Sequence, residues 1–470
     1  MTDHQNPRKL LVRGQVMHFL KDPGEYDAAD SYQYFADGAL WIVDGHIADV
    51  GPYADLITRI APDVLENAER YDYSGKLILP GLIDTHCHYP QSGIIASFGR
   101  QLIDWLNDYA FPAESTFRDP EVAKATADYF IERMLAHGTT TASVFSTVHP
   151  ESVDAFMASA NAHKLRMLSG KVMMDRNAPA DLMDTVADAE RDCLALIERW
   201  HGKGRLRYSI TPRFAPTSTP EQLSLAGELY RSKPDLHVQS HLAENPDEIA
   251  WVGTLFPHRR DYLDVYDHYG LLGPRTIYGH CIHLSAVELE EMAQSGTAAA
   301  FCPSSNLFLG SGFFDHSAAR AAGIRVGLAT DVGGGTSFSL IRTLGEAYKV
   351  SQLYQHPLAP LRAWFLATLG GAQALYLDEF IGNFVPGKEA DFVVLDPRAT
   401  PELAFRLKGG EGLAERLFAM KILGDERCVI ATHVMGEIAY RQQVKTARGP
   451  SIADAQRATR RPNTGNDGSV

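Results

Sequence analysis

The chain has 470 residues, 45% hydrophobic and 22% charged, with a formal net charge of −14. That length exceeds one ordinary domain, so a large core with a second unit is expected, and the composition is that of a soluble globular protein. The acidic balance disfavours nucleic acid and anionic membrane surfaces as partners. Five scattered cysteines (Cys87, Cys193, Cys281, Cys302, Cys428) make neither a disulfide framework nor a zinc-finger spacing, so reduced thiols and a cytoplasmic setting are expected. The opening MTDHQNPRKLLVRGQ lacks the apolar core of a secretory signal, and no apolar run is long enough to span a bilayer.

Residues 9 to 52 alternate short apolar runs with turn signals, Asp44-Gly45 among them, and read as strands and a hairpin. His18 and His46 in this stretch are packing or surface histidines. Residues 61 to 74 are polar and lead into the next region. From 77 to about 332 the pattern becomes strand, helix, strand, with eight candidate strands at 77–86, 139–145, 165–175, 206–214, 235–241, 276–280, 297–303 and 324–331. Helical patterns fill most gaps, as at 102–110, 122–138 (ending on Gly138) and 184–200. Eight β/α units closing on themselves define an α/β fold, a (β/α)8 TIM-like barrel. Beyond a further helix predicted at 362–375, segments 381–397 and 428–440 return to short strands resembling the opening ones. The predicted organisation is therefore a barrel over 76–381 and a small β-sandwich unit built from 1–75 and 382–450. The polar, glycine-bearing end, 451–470, is expected to be disordered.

The chemistry-bearing residues fall at predicted strand ends. His86 and His88 close the first strand, two apart and hence on one face. Arg213 closes the fourth, His241 the fifth with Glu244 just beyond it, His280 the sixth and Asp331 the eighth. Carboxyl ends of barrel strands all face one mouth. Three histidines and an aspartate suit a divalent ion such as zinc with a position left open. Such an ion brings the pKa of bound water toward neutrality, and Glu244 could shuttle protons. Each residue also has a plainer role open to it: Asp331 as a helix cap, His280 as a core histidine, Glu244 as a solvated carboxylate. It is their coincidence at four strand ends that points to a metal hydrolase.

PGLIDTHCH, SHLAEN, YGHC, CPSSN and ATD together resemble the amidohydrolase superfamily. HYPQ (88–91), DWLNDYAFPAE (104–114), HGTTTASVF, GKVMMD, TPRF (211–214), SHLAENPDE, TDVGGG and ATLGGAQAL are similar, in order, to the guanine deaminase family within it. HYPQ and TPRF are the discriminating motifs. The resemblance implies one zinc ion per chain, held by His86, His88, His241 and Asp331, and hydrolytic deamination of guanine to xanthine and ammonia. It implies His280 beside the reactive water, with Glu244, His280 and Asp331 as the catalytic groups. Gln91, Arg213 and Phe214 meet the purine, alongside His88, His241 and Glu244. It also implies a homodimer. Relatives with two metals bridge them by a carboxylated lysine at the end of strand four. Here that end reads ITPRF, and Lys171 lies at the start of GKVMMD, so a single metal is expected. Two other readings share the fold: a sister enzyme acting on another aminopurine, pterin or triazine ring, and a metal-free relative kept as an assembly module.

Overall fold

Two sheets organise residues 7–99 and 101–443, which this computed structural model describes; the tail expected to be disordered lies outside them. The strands in chain order are β1 (Lys9–Phe19), β2 (Tyr32–Val43), β3 (His46–Pro52), β4 (Glu69–Pro80), β5 (Leu82–His88), β6 (Thr139–Phe145), β7 (Arg166–Gly170), β8 (Val172–Met173), β9 (Arg207–Pro212), β10 (His237–Leu242), β11 (Thr276–His280), β12 (Ala298–Phe301), β13 (Val326–Leu328), β14 (Phe392–Leu395), β15 (Val429–Val434) and β16 (Glu437–Arg441).

The terminal segments share one seven-stranded mixed sheet, ordered β16-β15-β14-β4-β1-β2-β3. Asp44 and Gly45, with φ of 48° and 78°, turn the β2–β3 hairpin as Asp-Gly pairs do. Alternate residues Leu10, Val12, Leu40, Ile42, Ile78, Phe392, Val394 and Ala431 form a single apolar cluster. Strands near both ends of the sheet contribute to it, so the sheet folds over its own inner face, as a sandwich does. The opposite face, through Met17, Leu77, Leu79, Val393 and Val429, joins the main barrel core.

The barrel strands are parallel and run in order from β5 to β13, with β8 extending β7 against β9. Side chains and loop backbone close the seam between β13 and β5. The Asp84 carboxylate accepts from Thr330 N–H and Oγ1, Thr85 Oγ1 donates to the Leu328 carbonyl at 3.0 Å, and Asp331 N–H donates to the His86 carbonyl at 3.0 Å. This seam seats Asp331 beside the two histidines of β5.

Local chemistry shifts three predicted elements. The stretch 77–86 is not one strand: Leu77–Pro80 finish β4 in the terminal sheet, and Leu82 starts the barrel. Pro80 has no N–H to extend a ladder, and at Gly81 the backbone passes so close to Thr140 that a Cβ would lie 2.1 Å from its Oγ1. The helix predicted at 102–110 runs as Leu102–Trp105, widens into a π-helical turn over Leu106–Ala110, and resumes as Phe111–Ser115. Pro112 lacks the N–H an α-helix needs there, and Phe111 N–H reaches back to Leu106. The helix predicted at 362–375 breaks into Pro360–Leu366 and Leu369–Ala374, because the Ala367 carbonyl is taken by Ile83 N–H at 2.9 Å.

Burial keeps several histidines neutral. The pKa of His18 and His433 is lowered to about 4, and that of His237 and His316 to about 3, with burial as the main cause. The ordinary value is 6.5. A depressed histidine pKa means the unfolded chain takes up protons first, so stability is lost as pH falls below 6.5 toward the folded values. The thermal midpoint should drop steadily between pH 6.5 and 4 in metal-stripped and metal-loaded protein alike; a flat midpoint over that range would contradict the assignment.

Candidate active site

His86 and His88, alternate residues at the end of β5, turn their rings into the barrel mouth. Their Nε2 atoms lie 3.3 Å apart, and His241 Nε2, from β10, is 3.2 Å from that of His88. Asp331 Oδ1 is 3.5 Å from His86 Nε2 and 3.4 Å from His88 Nε2. Ligands about 2.0–2.1 Å from a tetrahedral zinc ion stand roughly 3.3–3.4 Å apart. These four distances match that spacing; His86, His88 and Asp331 group closely enough to hold one ion, and His241 stands beside His88. Proton positions agree. His241 Nδ1 sits 2.6 Å from the Arg213 carbonyl, an acceptor, so Nδ1 carries the hydrogen and Nε2 presents a lone pair to the centre. Burial, then the neighbouring imidazoles, hold His86 and His241 well below the ordinary histidine pKa, and His88 likewise. Burial raises the Asp331 carboxyl to about 7. Neutral imidazoles around one buried acid are a donor set that a divalent cation satisfies.

His280 also joins His86 and His241 in a group whose ring nitrogens lie within 4.8 Å of one another. Its other contacts set it apart: Nε2 lies 3.3 Å from Glu244 Oε2 and 3.8 Å from Asp331 Oδ2, the carboxylate oxygen turned away from His86 and His88. Nδ1 is 2.8 Å from Asn306 Oδ1, which fixes the ring. Glu244 is fully buried; Ser311 Oγ donates to its Oε1 at 2.9 Å, and burial raises its pKa to about 7. Glu248, one turn on, accepts from the backbone N–H groups of Glu244 and Asn245 and from Tyr262 Oη, and so locks the loop that carries Glu244.

Backbone at these strand ends is unusual. Ala243, His280 and Asp331 have φ of 50°, 69° and 50°, a left-handed conformation that costs non-glycine residues and clusters at functional sites. Gly279 serves a different need: a Cβ there would stand 2.7 Å from His86 Cε1, so only glycine lets β11 pass the ligand ring.

Beside this centre opens a pocket of ≈ 430 Å³, mouth included, lined by Gln91, Arg213, Phe214, Glu244, Trp105 and Leu309 among others. Arg213 follows β9 and Gln91 follows β5, and both are buried. Phe214 is buried against Trp251, with ring centroids 6.2 Å apart. All the predicted site residues thus converge on one mouth. Sequence reasoning missed Glu114, although it ends the quoted DWLNDYAFPAE motif. Its Oε2 lies 2.5 Å from Arg213 Nη1, and its Oε1 accepts from Gln91 Nε2 at 2.9 Å. It also missed Asn306, which ends the quoted CPSSN motif and sits on the short helix Pro303–Phe308, and Ser311 in the loop that follows it. Lys171 is buried in an ion pair with Asp184.

A His/Asp cluster at the carboxyl ends of parallel barrel strands lies where such barrels carry their chemistry, and residues 77–439 match the Amidohydrolase family. The chain is 47% identical to guanine deaminase of Escherichia coli K12 over 432 residues, which is 91% of this chain and 97% of that protein. The solved structure of the E. coli guanine deaminase superposes with a TM-score of 0.89 at 46% identity, covering 92% of this chain and all of the other. A guanine deaminase from C. acetobutylicum, solved with bound guanine in its active site, gives a TM-score of 0.82 at 29% identity over 92% of this chain and all of the other. The chain belongs to the amidohydrolase family and, within it, to the guanine deaminase family. Among the described residues no helix is long and apolar enough to cross a membrane.

Proposed function

We propose that this chain is a zinc-dependent enzyme that hydrolyses guanine to xanthine and ammonia in the cytoplasm, as a homodimer. The observation that carries the reading is one pocket in which His88, His241 and Asp331 of the His/Asp cluster meet the buried Glu244 carboxyl and the Arg213 guanidinium. The family and the E. coli relative support it. On the same reading the catalytic barrel runs over 82–381, starting later than the expected 76 because β4 belongs to the terminal sheet, and the described residues 7–80 with 382–443 form the supporting unit.

His86, His88, His241 and Asp331 hold the metal; zinc, when bound, supplies the Lewis acidity that makes water a nucleophile near neutral pH. The water adds to C2 of the ring and the 2-amino group leaves as ammonia. Asp331 and His280 face the water and accept its proton. Glu244, whose pKa burial raises to about 7, delivers its proton to N3, takes up the one removed from the water and passes it to the departing amine, and is reprotonated by the C2 hydroxyl as that group becomes the carbonyl of xanthine. Arg213 donates to the carbonyl oxygen at C6, Gln91 meets the ring edge, and Phe214 packs against the purine face.

Guanine consumed should equal xanthine formed and ammonia released. Protein purified without added metal should carry about one zinc ion per chain, and His86→Ala should lose zinc and turnover together, since one of four ligands is gone. Two tightly held ions per chain, or activity in metal-free His86→Ala, would overturn this assignment.

A further inference from the structure

Glu114 is 1% exposed, sits on the short helix after the π-helical turn, and reaches two residues that no other carboxylate among the described residues contacts. A carboxylate only accepts hydrogen bonds, so Gln91 must turn its amide nitrogen toward Glu114. Gly333 N–H donates to Gln91 Oε1 at 3.3 Å from the other side, which demands the oxygen there. Two independent partners thus fix the same amide orientation. Arg213 uses Nη1 on Glu114, its Nη2 and Nε make no hydrogen bond to the described residues, and the residue lines the pocket. The guanidinium plane is steadied further by the Phe111 ring, 5.3 Å from its centre.

Resting on the guanine reading above, we propose that Glu114 is the positioning and specificity-determining residue of the pocket. It orients Arg213 and Gln91 as one donor–acceptor pair that matches a neutral lactam edge, and it cancels the Arg213 charge so that an anionic ring gains no advantage. Without Glu114, Arg213 would be a lone buried cation, which attracts anions strongly in a dry site. The product xanthine is more acidic than guanine, so the ion pair keeps the pocket from retaining product in its anionic form.

Zinc-loaded Glu114→Gln tests this, because the amide keeps size and hydrogen bonding but removes the charge. Expected is a fall in kcat/KM for guanine on the order of 10²-fold, the usual effect of a misplaced orienting group. Inhibition by xanthine should strengthen by about tenfold or more as pH rises through xanthine ionisation, the scale of one charged hydrogen bond, whereas wild type shows no such trend. Glu114→Asp keeps the charge but draws the carboxylate back; it should raise KM for guanine without the pH-dependent xanthine inhibition, and it serves if Glu114→Gln does not fold. Combined with Arg213→Ala, the loss in Glu114→Gln should be far from additive. If wild type turns over guanine while Glu114→Gln keeps its kinetics and its insensitivity to xanthine charge, the proposal fails and the guanine reading stands. If wild type does not deaminate guanine, it is the reading itself that fails.

Discussion

Glu244→Gln is expected to lower kcat on guanine by ~10²–10⁴-fold, the usual contribution of a general acid–base group. Gln keeps the volume and the hydrogen bond from Ser311, so zinc content, thermal midpoint and guanine affinity should stay close to wild type. What it loses is the proton. Glu244 is suited to hold one: burial raises its pKa to about 7, so the acid form is present below that value and fades above it. Wild-type kcat/KM should therefore fall as pH rises beyond 7, and that limb should vanish in the variant. Near-normal turnover in folded, zinc-loaded Glu244→Gln would remove Glu244 from the mechanism.

Arg213→Ala should be the most damaging change for selectivity. A guanidinium has donors only. Guanine offers a carbonyl oxygen at C6, and the Arg213–Glu114 pair leaves two guanidinium nitrogens free to meet it. Adenine and 2,6-diaminopurine offer an amine at that position, so donor meets donor. Sites built around one specific hydrogen bond reject analogues lacking it by as much as ~10⁴–10⁵-fold. The expected result is loss of most guanine activity with zinc retained, and collapse of the preference for guanine over 2,6-diaminopurine. A preference left intact in Arg213→Ala would show that another residue reads the carbonyl.

The contrast between what was legible in the chain and what was not has a physical basis. His86, His88, His241, His280 and Asp331 could be found because parallel strands deliver their carboxyl ends to one mouth, which turns a spacing pattern into a location. Arg213 and Gln91 were legible through short motifs shared with a known family. Glu114 was not: it ends a quoted motif, but it lies beyond the helix predicted at 102–110, and nothing in the motif marks it as the partner of Arg213. Its partner Arg213 is 99 residues away along the chain, and the carboxylate sits on the helix that follows the π-helical turn rather than on the predicted one. The split of 77–86 was hidden for a similar reason. The same apolar run serves two sheets, and the change of sheet depends on the clearance between Gly81 and Thr140. Glu248 and Tyr262, which lock the Glu244 loop, had no role assigned from the sequence; the capping box of Pro246–Leu255 and the bond from the Tyr262 hydroxyl show it.

The most direct test of guanine deamination is ammonia release by the zinc-loaded, wild-type chain given guanine, adenine, 2,6-diaminopurine and a pterin in parallel. Rapid, stoichiometric release from guanine, with adenine and 2,6-diaminopurine left nearly untouched, is the predicted result. Release from adenine or 2,6-diaminopurine at a rate matching or exceeding that from guanine, or none from guanine at all, would contradict it.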